Sequence, residues 1–222
     1  MEIEIIVPEG LHDIKLEQYQ KFLALQSEDD MFLAQKCVEI FCNVPLILVD
    51  RMPYNKVREL SNRIYSYLQT KPQLVMRTKL RKREFGFVPN LEQISLGEFT
   101  DIDSNITDWK NMHRVMAVLY RPVVTYAGDY YDIEEYDGTD KYADLMKQLP
   151  LDVALSALVF FYRLGMDLLE CMTAYLEDPE IRTSLLKGTS EKSGAGIVAF
   201  THSLREMQQN LKGLVDSQFT PL

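Results

Sequence analysis

The chain has 222 residues, 46% hydrophobic and 26% charged, with a formal net charge of −9. That length allows one sizeable core or two small units, and the apolar content excludes a largely disordered chain. The acidic excess disfavours nonspecific binding to DNA or anionic membrane, both of which need Lys and Arg to neutralise phosphate.

Residues 2–7 (EIEIIV) alternate charge with Ile and Val, which predicts a short half-buried strand stopped by Pro8. The start MEIEIIVPEG lacks the basic and apolar regions of an export signal, so a cytoplasmic setting with reduced Cys37, Cys42 and Cys171 is expected. Leu16, Tyr19, Phe22 and Leu25 recur at helical spacing over 15–26. A second helix is predicted over 29–41, with two acids where the dipole favours them. Pro53 suits a first helical position, and Val57, Leu60, Ile64 and Leu68 carry a third helix to residue 70.

Two strands are predicted over 74–80 and 84–88. With residues 2–7 they would form a small three-stranded antiparallel sheet, and residues 1–90 would make an N-terminal region. A C-terminal helical region over 91–216 would follow, carrying a hairpin over 123–136, with 217–222 as a tail. Ile106, Trp109, Met112, Met116 and Leu119 describe an amphipathic helix that ends before Pro122. VVTYAGDYYDIEEY predicts the hairpin, with its turn near Gly128, and Thr139 is placed to cap a helix over 140–148.

Leu151–Leu176 reads as a long apolar helix at the centre of the core, with Phe160, Phe161, Leu164 and Leu168 mostly buried. Its longest apolar run, Val153–Tyr162, is too short to cross a hydrocarbon layer that needs about 20 residues. A short helix over 180–187 and a last one over 197–215 complete the elements. The expected class is mainly α with a minor β component (α+β). A helical bundle surrounds a central apolar helix, with a small antiparallel sheet and a protruding hairpin.

Four segments could carry chemistry. Asp101, Asp103 and Asn105 match the first three ligand positions of a calcium loop. Ile106 stands where the sharp turn needs Gly, and Met112 where a bidentate Glu is needed. The expectation is instead a helix start, with Thr100, Ser104 or Thr107 as the cap and the aspartates at the positive end. Glu98 with Asp101 or Asp103 would be an acid/base pair only if burial separated their pKa values, and the pattern does not predict burial. His12, His113 and His202 and the cysteines lack metal-ligand spacing, so no metal site is expected. Gly194, Gly196 and Ala199 fit G-x-G-x-x-A, without the preceding strand that a dinucleotide site requires. No cofactor and no catalytic residue are expected.

The candidate contact residues lie elsewhere. MRTKLRKR holds Arg77, Lys79, Arg81, Lys82 and Arg83. On alternating strand positions Arg77, Lys79, Arg81 and Arg83 would share a face, with Leu80 turned inward. A solvated rim is one reading of the cluster, and a contact to an acidic protein surface is the other. Copies of the chain could set this face against Asp132, Glu134 and Glu135. The tyrosines of the second hairpin, Tyr126, Tyr130, Tyr131 and Tyr136, suit either a strand or an interface.

FGFVPNLEQISLGEFTDIDSNI, NMHRVMAVLYRPV, IEEYDGT and LPLDVALSALVFFYRLGMDLL occur in this order within residues 85–176. Together they resemble small proteins encoded among the virion-structure genes of tailed bacteriophages, especially crAss-like phages infecting Bacteroidetes. The resemblance implies a virion or virion-assembly role and transfers no catalytic residue; the first expectation is a non-enzymatic virion protein, made in the host cytoplasm. Its partners would be copies of itself and other virion proteins, without membrane or sequence-specific nucleic acid. Three roles stay open: a ring or connector protein of the neck or tail, an assembly chaperone absent from the virion, and an enzyme with an unrecognised site.

Overall fold

The computed structural model describes residues 5–177, apart from Gln26, Glu28 and Asp129. Expected elements after 177, the motif at Gly194–Ala199 and His202 lie outside the described residues. The chain divides into two compact units, Met1–Ser156 and Ala157–Leu222. Eight α-helices and one four-stranded antiparallel sheet occur among the described residues, an α+β fold.

In the first unit α1 (Leu16–Leu23), α2 (Asp30–Phe41) and α4 (Tyr54–Leu68) form a helical layer, with the short α3 (Leu46–Val49) between the last two. Asp29 starts α2 by accepting from the N–H groups of Met31 and Phe32 at 2.8 and 3.2 Å, which satisfies two otherwise unpaired donors of the first turn. Leu16, Tyr19, Leu33, Cys37, Val38, Phe41, Val57 and Ile64 are buried. The Phe22 ring lies 5.2 Å from that of Phe41 and 6.1 Å from that of Tyr65. Burial pushes the Cys42 thiol up to about 11 and raises that of Cys37 as well, so both are protonated and packed as small apolar groups.

The sheet runs β1 (Arg77–Leu80), β2 (Arg83–Phe87), β3 (Tyr120–Ala127), β4 (Tyr130–Ile133), each strand antiparallel to the next. This corrects the expected three-stranded sheet with residues 2–7. Residues 5–7 form no strand, and Ile6 is 83% exposed. The free side of β2 is taken by β3, which brings the buried Tyr120 opposite Phe87. The division expected at 90/91 therefore falls between two paired strands.

One sheet face carries Leu80, Phe85, Phe87 and Tyr120, all buried. Phe87 meets Tyr120 edge-on at 5.4 Å, and Phe85 meets Tyr142 of α7 (Asp140–Met146) at 5.6 Å. The Tyr120 hydroxyl donates to the Val75 carbonyl at 2.8 Å, so this large side chain is buried with its polar end satisfied. The α6 helix (Met112–Leu119) feeds directly into β3, and Val115, Met116, Val118 and Leu119 are buried.

Leu151–Glu177 is α8. Leu151 donates to the Ile14 carbonyl at 2.8 Å, and the Ser156 hydroxyl accepts from the Val75 N–H at 3.1 Å. Within the second unit Ala157, Leu158 and Val159 are buried, whereas Phe160 and Phe161 are only partly so. The two phenylalanines are thus mostly covered, as expected, though not wholly. Adjacent positions on a helix point in different directions, so one burying face rarely covers both. The side chains of Leu164 and Leu168 lie outside the description. No helix among the described residues is long and apolar enough to cross a membrane.

Candidate interaction surface at the hairpin end of the sheet

Leu80 pairs with Arg83 and Ala127 with Tyr130, so each hairpin closes over two residues: Arg81–Lys82 in one and 128–129 in the other. The meander β1-β2-β3-β4 puts both turns at the same end of the sheet. In the second turn the first loop residue is Gly128 at φ 65; in the first it is Arg81 at φ 55. A positive φ at that position is the pattern that favours glycine, because a Cβ there crowds the backbone.

The basic residues do not share one face. Residues directly opposite in an antiparallel pair point to the same side, so Arg83 follows Leu80 while Arg77 and Lys79 follow Glu84 and Gly86. The two-residue turn breaks the simple alternation assumed from sequence. Arg83 reaches the Tyr142 hydroxyl at 3.5 Å. Arg77 lies 3.7 Å from Glu84 and sits over the rings of Tyr126 and Tyr131, at 5.9 Å from each. Lys79, Arg81 and Lys82 are exposed and have no carboxylate partner among the described residues.

The tyrosines divide in the same way. The Tyr126 hydroxyl donates to Glu84, and that bond raises its pKa. Tyr131 lays its ring on the bare backbone of Gly86, where an added Cβ would come within 2.3 Å, and its hydroxyl donates to the Phe87 carbonyl at 2.7 Å. Burial raises the pKa of Tyr131. Tyr130 is 81% exposed, so of these three it is the one most available to a partner. Glu134, offered from sequence as a partner for a second copy, is already held by Lys141 and accepts from the Tyr142 hydroxyl at 2.8 Å; the hydrogen bond from Lys141 lowers its pKa. Asp132 and Glu135 are exposed.

The acidic segment is built differently from the expectation. Leu96–Asn105 is itself a helix, α5, and Ser95 caps it: its hydroxyl accepts from the Glu98 N–H at 3.3 Å, while the Glu98 carboxylate accepts from the Ser95 N–H at 2.7 Å. Asp101 and Asp103 therefore lie in its C-terminal half, not at a helix start. Asp108 does begin a turn, accepting from the Lys110 N–H at 2.9 Å ahead of α6. Thr139 holds the N-cap position of α7, as expected, but its side chain makes no capping bond; its hydroxyl accepts from Arg114 at 3.3 Å.

Glu98 is 5% exposed and meets Arg121 of β3, itself 8% exposed, at 2.6 Å. Arg121 lies 5.7 Å from the Tyr136 ring, whose hydroxyl donates to Asp101. Among the described residues the Arg121 Nε has no hydrogen-bond partner. The ion pair between Glu98 and Arg121 ties α5 to β3. The sequence signal S-x-x-E at Ser95–Glu98 marks the cap, whereas nothing local marks Arg121 as its partner.

The Gln20 amide nitrogen donates to the Trp109 carbonyl at 2.7 Å and to His113 Nδ1 at 3.2 Å; burial lowers the His113 pKa. This histidine joins α1 to α6. A 740 Å³ groove beside α1 and α2 is lined by Lys15, Lys21 and Lys36 together with Asp13, Glu17 and Glu39, so its charges largely cancel. Among the described residues no group of three or more His, Cys, Asp or Glu could hold a metal ion. No family model, curated protein or solved structure matches the chain.

Proposed function

We propose that the chain is a non-enzymatic structural component of a tailed-phage virion, a ring or connector protein of the neck or tail. It binds neighbouring subunits through the hairpin end of its sheet. The phage context comes from the resemblance over residues 85–176; the contact surface rests on an observation independent of it. Arg81 occupies a left-handed turn position that glycine would fill with less strain, beside Lys82 and with no carboxylate among the described residues to hold it. A charge kept at a backbone cost of about 1–2 kcal/mol points to a demand outside the fold. In a chain of net charge −9, exposed cations at a hairpin turn suit an acidic neighbour.

The experiment is quantitative mass spectrometry of purified particles. A structural component is present in fixed ratio to the major virion proteins. A chain abundant in infected cells and missing from finished particles would instead be an assembly chaperone.

A further inference from the structure

We propose that copies of this chain join head to tail, the basic edge of the sheet in one copy meeting the acidic edge of the next. This rests on the reading of the chain as a self-associating ring component and adds the polarity of the contact. The sheet has two edges, β1 and β4. Across β1 and β2 the Phe87 N–H donates to the Met76 carbonyl. Alternation then turns Thr78 and Leu80 toward β2 and leaves the N–H and C=O of Arg77 and Lys79 on the outside. Among the described residues no backbone hydrogen bond reaches either residue from beyond the sheet.

At the other edge Glu134 donates to the Pro122 carbonyl, so the backbone N–H and C=O groups of Tyr131 and Ile133 point outward. The Asp132 carboxylate covers the Ile133 N–H at 2.8 Å, which leaves the backbone groups of Tyr131 and the Ile133 carbonyl. Each edge thus offers a short run of unpaired backbone.

The two edges carry opposite signs. Arg77, Lys79, Arg81 and Lys82 line β1 and its turn; Asp132, Glu135 and Asp137 line β4 and the segment after it, all exposed. Charges on edge strands normally deter pairing. Here they deter only like edges: β1 against β1 sets cation on cation, and β4 against β4 sets acid on acid. β1 against β4 joins unlike charges. Strand direction agrees, because in a four-stranded meander β1 and β4 run oppositely, so a β1 laid beside a neighbour's β4 continues the antiparallel order. A contact between two different patches is heterologous, and it closes into a ring or extends as a filament rather than stopping at a dimer.

Analytical ultracentrifugation of the full chain at low salt tests this, with two charge-reversal variants. One is Arg81→Glu with Lys82→Glu; the other is Glu135→Lys with Asp137→Lys. Wild type should form species larger than dimers that dissolve as salt rises. Each variant alone should stay monomeric with the wild-type circular dichroism spectrum. An equimolar mixture should regain assembly, because every edge in it again finds an opposite one. A monomeric wild type, a dimer that never extends, variants that assemble alone, or a folded mixture that stays monomeric would each overturn the proposal. Should a double variant lose its helical spectrum, the single reversals Lys82→Glu and Glu135→Lys carry the same mixing test. A chain missing from particles would remove the virion reading and leave this polarity standing, whereas charge-insensitive assembly of a chain found in particles would do the reverse.

Discussion

Arg81 and Gly128 occupy the same place in two neighbouring hairpins, at φ 55 and φ 65, and only one of them is the residue that backbone sterics favour. Replacing Arg81 with Gly removes about 1–2 kcal/mol of strain and adds about 0.5–1 kcal/mol of unfolded-state freedom. The Arg81→Gly variant should therefore melt at or above the wild-type temperature while its incorporation into particles falls. A clear loss of thermal stability would show that the arginine serves the fold. The buried pair makes the opposite case. Glu98 faces Arg121 at 2.6 Å with both side chains almost wholly buried, so removing the acid strands a cation. Glu98→Ala should cost about 3–5 kcal/mol in a urea melt. Replacing both residues with Leu should cost much less, because no charge is left unpaired. A single-variant cost below about 1 kcal/mol would place the pair with ordinary surface ion pairs. Neither residue could be ranked from sequence: the sign of φ at Arg81 follows from the two-residue register of β1 on β2, and the burial of Glu98 from Arg121, which lies well along the chain.

At the scale of elements, helices with a clear apolar stripe were legible. The spacing of Val57, Ile64 and Leu68 gives α4, and Asp29 marks the start of α2. The segment LGEFTDIDSN was misread because its short polar residues resemble a helix entry, although Ser95 and Glu98 already spell a capping box. The order of strands was not legible, because the pairing of β2 with β3 depends on burying Phe85, Phe87 and Tyr120 together, and periodicity along one strand does not name its partner. Gly86 shows how tightly the two hairpins are joined. Its missing Cβ makes room for the Tyr131 ring, which is anchored through its hydroxyl to the Phe87 carbonyl. Gly86→Ala should destabilise by about 1–3 kcal/mol through overpacking, and Tyr131→Ala introduced beside it should recover part of that loss. An alanine variant as stable as wild type would mean that the β3–β4 hairpin swings clear at no cost.

For the whole molecule, the acidic balance and the exposed cations at one end of the sheet make a chain with an uneven surface. Exposed charge of this kind acts mainly on association rate and salt sensitivity, and less on folding. Lys79, Arg81 and Lys82 hold no carboxylate within the described residues, so reversing them should leave the circular dichroism spectrum intact. The direct test expresses wild type and the Lys79→Glu, Arg81→Glu, Lys82→Glu variant together during infection and measures their ratio in purified particles by mass spectrometry. A strong enrichment of wild type over the equally abundant variant is the expected result. Equal incorporation of the two would contradict the assignment of this surface as a subunit contact.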